Sequence, residues 1–150
     1  MPETAQVLRL ERSFDAGVRD VFNAWTDPAV LKRWWSSGPQ WTTPIADVDA
    51  RPGGRYRLMM ESESGERHTV VGEYRTVEPP SLLVYTWAWE LDAGGIGPES
   101  TVTVAFEAEG DGTRVVIEHA GLPTDESRER HGVGWSGCLD QLAALYATAS

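Results

Sequence analysis

Basic residues are scarce in this sequence, and lysine is nearly missing. The chain carries 13 Lys and Arg residues, of which only Lys32 is a lysine, against 23 Asp and Glu residues. The resulting net charge of −10 repels a phosphate backbone, and no run of five or more basic residues offsets that repulsion. We therefore expect that the protein does not bind nucleic acid.

Cysteine is equally scarce, because Cys138 is the single one in the chain. One cysteine cannot form an internal disulfide, and this usage fits a reducing compartment. No apolar run approaches the roughly 20 residues that a bilayer-spanning helix needs, and the N-terminus lacks the basic-then-apolar pattern of a signal peptide. We expect a cytoplasmic protein without a membrane span, folded as one domain over residues 1–150.

The sequence also lacks the residue spacings that bind metals and cofactors. Its three histidines, His68, His119 and His131, are scattered and do not have the spacing of zinc ligands. No Gly-rich phosphate loop, nucleophilic serine elbow or calcium loop is present, so we predict no metal, no cofactor and no catalytic residue. His119 has two interpretations. We favour a hydrogen-bonded histidine at a strand end over an acid or base that faces the interior.

Aromatic residues, by contrast, are concentrated along one part of the chain. All seven tryptophans fall in segments that we expect to pack on, or to rim, one sheet. Between residues 51 and 89 three long segments alternate apolar with polar residues, a pattern typical of half-buried strands. The alternation along the whole chain predicts strands at residues 7–12, 45–48, 54–61, 68–77, 82–90, 100–108 and 113–119.

Two short helices are predicted after the first strand. Apolar residues at three- and four-residue spacing follow Asp15, whose carboxylate can accept the free amides of a first helical turn. Asp27 and Pro28 then provide a cap and a first helical residue for a second helix over residues 29–35. A long C-terminal helix is predicted over residues 125–147, after a cap at Thr124 or Asp125.

This order of elements predicts an α+β fold, in which a curved antiparallel sheet wraps around the long C-terminal helix. Strands of eight to ten residues span about 30 Å, and a helix of roughly 20 residues has the same length. A sheet of that size, curved around a single helix, leaves a space between the two layers.

We predict that this space is a ligand-sized cavity, gated by a Gly-rich loop at residues 92–98 and by a loop at residues 36–44 that carries Trp41. An aromatic core without a ligand is the alternative interpretation. The predicted ligand-binding residues share the inner face of a strand or the buried stripe of the last helix: Tyr56, Tyr74, Tyr85, Trp87, Val104, Phe106, Ile117, His119, Trp135 and Leu139.

Four stretches, at residues 14–35, 52–60, 64–87 and 131–145, carry a resemblance to a known family. Taken in order, they resemble single-domain members of the activator of heat-shock protein 90 ATPase homologue family. That family belongs to the SRPBCC group of START-like, birch-pollen-allergen-like folds. The resemblance implies a helix-grip fold with an internal cavity and no shared catalytic set.

The chain departs from the family pattern in two ways. Ser36 and Ser37 separate the second-helix tryptophans from Gly38 and Pro39, where the family often runs directly into Gly-Pro. The separate N-terminal domain of the eukaryotic co-chaperones also has no room in this sequence, which argues against ATPase activation.

Three functions follow from the residues and the resemblance. The first is a carrier or sensor that binds a small apolar molecule of aromatic, lipid-like or polyketide-like chemistry. The second is a cyclase- or hydrolase-type enzyme with an acid or base in the cavity. The third is a stress-response module that contacts a chaperone, and a homodimer is left open in every case.

Overall fold

The computed structural model describes residues 7–35, 40–91 and 94–148 of the chain. Its elements follow the predicted order of a strand, two short helices, a run of strands and a long helix. They are β1 (Leu8–Phe14), α1 (Val18–Thr26), α2 (Pro28–Trp34), β2 (Trp41–Val48), β3 (Arg55–Ser62), β4 (Arg67–Glu78), β5 (Leu82–Trp89), β6 (Ser100–Glu109), β7 (Gly112–Ala120) and α3 (Asp125–Thr148).

The strands form one sheet of seven in the order β1-β7-β6-β5-β4-β3-β2, and each neighbouring pair is antiparallel. The sheet curls into a half-barrel that holds α3. Side chains of the inner strand faces, α1, α2 and α3 form one hydrophobic core cluster. This arrangement confirms the predicted α+β, helix-grip architecture.

The C-terminal helix α3 begins and packs as the sequence predicts. The Thr124 hydroxyl accepts a hydrogen bond from the Ser127 amide at 2.9 Å, which satisfies one of the free donors of the first turn. Trp135, Leu139 and Leu142 are almost fully buried along one stripe of the helix. None of the helices in the described residues is long and apolar enough to cross a membrane.

The predicted caps of the two short helices have different outcomes. The Asp27 carboxylate accepts a hydrogen bond from the Ala29 amide at 2.9 Å, as predicted for α2. The cap predicted at Asp15 is wrong, because α1 begins after Gly17 and has no side-chain cap. The Ala16 carbonyl accepts a hydrogen bond from the Thr113 hydroxyl of β7 at 2.7 Å, so this carbonyl is bound to the sheet before the helix begins.

The predicted loop around Trp41 is also wrong where the structure describes it. Trp41 is the first residue of β2 and pairs with Ser62 of β3. The register of this pair shifts between Thr42 and Ile45, which accommodates Pro44, since a proline cannot donate a hydrogen bond to the strand ladder. Residues 36–39 and 92–93 of the two predicted gating loops lie outside the described residues.

The inner face of β5 follows the predicted alternation. Leu83, Tyr85 and Trp87 are buried, and Trp89 on the same face is half-buried. The irregularity in this region lies in the partner strand β4, where the register shifts between Tyr74 and Thr76. Because β5 itself is regular, its tryptophans point towards α3.

Candidate ligand-binding site

A cleft of about 530 Å³ lies between one end of the sheet and the first half of α3. In an antiparallel sheet, alternate strands begin and end at the same edge, and here β2 and β4 begin where β3 and β5 end. Trp35, the residue that follows α2, adds one more side chain to the lining of the cleft. The lining consists of Trp35, Trp41, Met60, Glu66, His68, Trp87, Trp89, Ser127, Arg130, His131, Gly134, Trp135 and Cys138.

Trp87 of β5 is the centre of the aromatic wall. Its ring lies 5.3 Å from the Trp135 ring of α3 at an interplanar angle of 35°. The Trp89 ring stands nearly perpendicular to it at 5.5 Å, and the Trp35 ring is 6.2 Å away. Tilted and edge-to-face contacts at these separations are the arrangements that aromatic rings favour. Strand, helix and the residue after α2 therefore contribute to one continuous aromatic surface.

His131, on the first half of α3, is held in one neutral form by this wall. The Trp89 indole Nε1–H donates to His131 Nε2 at 3.0 Å. An indole N–H is only a donor, so Nε2 is unprotonated and Nδ1–H donates to the Ser127 carbonyl at 2.7 Å. Burial lowers the pKa of His131, the hydrogen bond to Ser127 opposes this lowering, and the positive charge of Arg130 adds to it.

His119 of β7 lies behind the wall and is fixed in the same way. The Trp135 indole Nε1–H donates to His119 Nδ1 at 3.2 Å, and His119 Nε2–H donates to the Ser100 hydroxyl at 2.7 Å. The hydroxyl in turn donates to the Trp87 carbonyl at 3.2 Å. Burial lowers the pKa of His119 to about 3, with a smaller contribution from His131. The side chain is fully buried and neither of its nitrogens is free.

The two histidines, 12 positions apart in the sequence, are neighbours in the fold. Their ring centroids are 5.2 Å apart at an interplanar angle of 77°. Each ring accepts a hydrogen bond from a different indole on its unprotonated nitrogen. Protonation of either ring therefore breaks an indole hydrogen bond and adds a charge beside the other ring.

Charged side chains lie at the rim of the cleft. His68 Nε2 and Glu66 Oε2, at the start of β4, are 2.5 Å apart, and both side chains are exposed. The Trp41 ring packs over His68 at a centroid distance of 5.6 Å. Arg130 reaches the cleft from α3, is exposed, and forms no ion pair with a residue of the described ranges. The rim thus carries a glutamate–histidine pair on the sheet side and one arginine on the helix side.

Comparison with known proteins identifies the family. The sequence model of the family described as "Activator of Hsp90 ATPase homolog 1-like protein" matches residues 15–147. The chain belongs to this family. A protein of Dictyostelium discoideum named "Activator of 90 kDa heat shock protein ATPase homolog" is 27% identical over 149 residues. The match covers 98% of the chain and 34% of that relative, so the chain spans about a third of the relative's length.

Several solved structures share the fold over nearly the whole chain. The crystal structure of the AHSA1 protein from Silicibacter pomeroyi is 32% identical, with a TM-score of 0.88 over 97% of this chain and 100% of that one. A protein from Chromobacterium violaceum is 27% identical, with a TM-score of 0.83 over 93% and 96%. The AHSA1-like protein from Aeromonas hydrophila is also 27% identical, with a TM-score of 0.77 over 96% and 94%.

The fold divides the ten predicted site residues among three places. Trp87 and Trp135 line the cleft. Tyr56, Tyr74 and Tyr85, again with Trp87, line an inner space of only about 20 Å³ between the sheet and the two short helices. The other five are buried: Val104, Phe106, Ile117 and Leu139 belong to the core cluster, and His119 lies behind the aromatic wall. Ligand contact by these residues stays a prediction.

Several lining residues are missing from the predicted set. Trp89 shares its strand face with Trp87, and His131 precedes Trp135 by one helical turn, so strand and helix periodicity could have added both. Periodicity could not have identified Glu66 and Arg130. They line the cleft because the sheet and α3 separate at this end of the sheet, which the sequence pattern does not indicate. Within the described residues, no group of three or more His, Cys, Asp or Glu side chains is placed to hold a metal ion.

A second groove, of about 520 Å³, lies on the outer face of β3, β4 and β5. Its lining holds a single aromatic ring, Tyr56, whose hydroxyl donates to the Thr86 carbonyl at 2.6 Å. Arg57 in this groove forms two hydrogen bonds with the Glu90 carboxylate, at 3.0 and 3.2 Å. The groove thus differs from the cleft in that it has no wall of stacked aromatic rings and contains an arginine–glutamate pair.

Proposed function

We propose that the protein binds a small, flat, apolar molecule in the cleft and acts as its carrier or sensor. The observation that supports this function is the continuous aromatic wall around Trp87, Trp89 and Trp135, which faces a space of about 530 Å³. Small-molecule sites are typically about 300–1,000 Å³ in volume, with apolar walls and a few polar groups. Within the aromatic, lipid-like and polyketide-like classes, a wall of rings favours an aromatic ligand.

The hydrogen bonds inside the wall support recognition by shape and stacking. Trp89 donates to His131, His131 donates to the Ser127 carbonyl, and Trp135 donates to His119, so the ring faces remain for a ligand. A ligand that covers these faces loses no protein hydrogen bond when it enters, because the donors already have partners. A ligand can therefore cover the apolar faces of these three rings without breaking their hydrogen bonds.

The same hydrogen bonds argue against the enzyme alternative through His119. A general base needs an unprotonated nitrogen within reach of the substrate. The unprotonated nitrogen of His119 accepts the Trp135 indole N–H, and the side chain has no exposed surface. In the cleft lining, His131 likewise uses its unprotonated nitrogen for Trp89. A carrier or sensor needs no such group.

The experiment is a tryptophan-fluorescence titration of the wild type and a cleft-filling variant against aromatic, fatty and polyketide-like compounds. Gly134 lines the cleft on α3, so Gly134→Leu places a side chain in the binding space while it raises helix propensity by about 1 kcal/mol. The neighbouring Val133 is 71% exposed, and Val133→Leu is the matched control. We expect that the wild type and Val133→Leu bind, and that Gly134→Leu does not.

A stability measurement on the same samples distinguishes a blocked cleft from an unfolded variant. Urea unfolding should show that Gly134→Leu is at least as stable as the wild type, so its loss of binding is not a loss of fold. Equal affinity of Gly134→Leu and wild type would exclude the cleft as the site. Failure of every compound class to bind the wild type would overturn the proposed function.

A chaperone contact is the second candidate, favoured by the family and by the name of the Dictyostelium discoideum relative. The chain spans about a third of that relative, and its net charge of −10 would need a basic partner surface. We expect that micromolar protein does not stimulate the ATPase of a 90 kDa heat-shock chaperone. Stimulation in that assay would move this candidate ahead of the carrier.

A further inference from the structure

Two groups of the cleft lining lack a partner among the described residues: the buried Trp87 indole N–H has no hydrogen-bond acceptor, and one charged side chain has no ion pair. The ring nitrogens of Trp89, His131 and Trp135 all have hydrogen-bond partners, in His131, in Trp89 and the Ser127 carbonyl, and in His119 respectively. On the sheet side, Glu66 and His68 bind each other. Arg130 makes no ion pair in the described part of the chain, although acidic residues outnumber basic ones by 23 to 13. Its guanidinium is therefore the charge in the lining that lacks a counterion among the described residues.

The neighbouring arginine on the same helix shows the contrast. Arg128, two positions earlier, forms an ion pair with Asp125 in the first turn of α3 and does not line the cleft. Arg130 has Glu126 one helical turn before it, at the spacing of a helix ion pair, but the structure forms no such pair. The guanidinium of Arg130 is thus available to a ligand in the cleft, whereas that of Arg128 is bound to Asp125.

We infer that the cleft selects aromatic compounds that carry a carboxylate, and that Arg130 binds the carboxylate while the rings of the wall contact the aromatic part. This inference rests on the proposed function. A guanidinium donates two parallel hydrogen bonds to a carboxylate, in a geometry that neither an ammonium nor an amide side chain reproduces. Glu66 lies on the opposite, sheet-side wall, and its hydrogen bond with His68 occupies one of its oxygens.

The binding geometry explains why an acidic protein can hold an acidic ligand. The charge of −10 is spread over the whole surface, and salt at about 0.1 M screens charges more than about 10 Å apart. The contact with Arg130 is local and charge-assisted, so it outweighs the screened repulsion of distant carboxylates. Affinity for an acid should accordingly fall when added salt weakens this contact.

The test compares two ligands with the same ring system by isothermal titration calorimetry. 2-Naphthoate carries a carboxylate, and 2-naphthamide carries a neutral group of nearly the same size and shape. We expect the wild type to bind the acid about fivefold more tightly than the amide, the upper end of what an ion pair at an exposed site gives. Arg130→Gln should bind both compounds with the affinity that the wild type has for the amide.

Two further variants distinguish the contact from a general effect of charge. Arg130→Lys keeps the charge and loses the planar fork, so it should retain only part of the preference for the acid. Arg128→Gln removes an equal charge from the same helix and should keep the full preference. A wild type that binds both compounds equally, or an Arg130→Gln variant that still prefers the acid, would overturn this inference alone. Binding of neither compound would count against the proposed function as well.

Discussion

Acid should destabilise the protein through His119, and the size of the effect follows from its surroundings. Burial lowers the pKa of this side chain from its ordinary value of 6.5 to about 3. Its neighbours Trp135, Ser100 and Trp87 carry no charge that could stabilise an imidazolium, and His131 would oppose one. The folded protein therefore excludes a proton that the unfolded chain accepts below about pH 6.5.

The sign and magnitude follow from proton linkage. Because the unfolded state binds more protons between about pH 6.5 and 3, the free energy of unfolding falls as the pH falls through that range. Integration between pH 7.5 and 5 gives a loss of about 2 kcal/mol from this one group. The lowered pKa of His131 adds to the loss with the same sign.

The assay is urea unfolding at about pH 7.5 and 5 for the wild type and two variants that cannot titrate. His119→Asn keeps an acceptor near the position of Nδ1, and His119→Gln keeps a donor near the position of Nε2. Both should be less stable than the wild type at pH 7.5, yet each should lose about 2 kcal/mol less on acidification. An equal loss of stability between the two pH values in the wild type and in either folded variant would refute this role of His119.

Three further substitutions test the packing. Trp135→Ala should lower the free energy of unfolding by about 3–5 kcal/mol, because it leaves a cavity in the core, and an unchanged urea midpoint would contradict the position of α3. Tyr56→Phe removes the buried 2.6 Å hydrogen bond to the Thr86 carbonyl, and it should lower the free energy of unfolding by about 1–3 kcal/mol in thermal or urea unfolding. Gly72→Ala places a Cβ 2.0 Å from the same carbonyl, so it should destabilise by about 4 kcal/mol, whereas Gly17→Ala, with open space around it, should be nearly neutral in the same measurement.

The strands could be predicted from the sequence because strand burial is a local property. Alternation places every second residue on one face, and Val102, Val104 and Phe106 of β6 are buried while the residues between them are half-buried, as this rule requires. The Gly-Asp-Gly sequence at residues 110–112 is another local signal, because these residue types favour a tight turn. The structure has this turn between β6 and β7, with a φ of 59° at Gly110. These signals depend on neighbours along the chain and not on the rest of the fold.

The errors at Asp15 and Trp41 have tertiary causes. Asp15 has a side chain that can cap a helix. The Ala16 carbonyl, however, accepts a hydrogen bond from the Thr113 hydroxyl of β7, and α1 begins only after Gly17. Trp41 lies near a proline that predicts a loop, but the register shift of β2 accommodates Pro44 within the strand. In both places a contact with a distant strand decides the local structure, and the local sequence does not contain that contact.

The site could be predicted only in part, because two different spaces lie along the same inner face. Tyr56, Tyr74 and Tyr85 have the expected orientation but pack against the short helices, where about 20 Å³ remains free. Trp87 and Trp135 have the same orientation and meet open space. Periodicity identifies the face that a side chain occupies, whereas the position along the sheet at which the layers separate depends on the register and on how the helices cross it.

The sharing of Trp87 between these two spaces decides which residues can report on binding. Its ring lines both the cleft and the filled inner space, and it contacts rings of β5, β7, α3 and the residue after α2. Removal of this ring would alter the core and the cleft together, so a loss of binding could not be separated from a loss of stability. Gly134 and Arg130 lie at the cleft without a place in the core cluster. Binding and folding can therefore be separated at these two positions, on the helix side of the cleft.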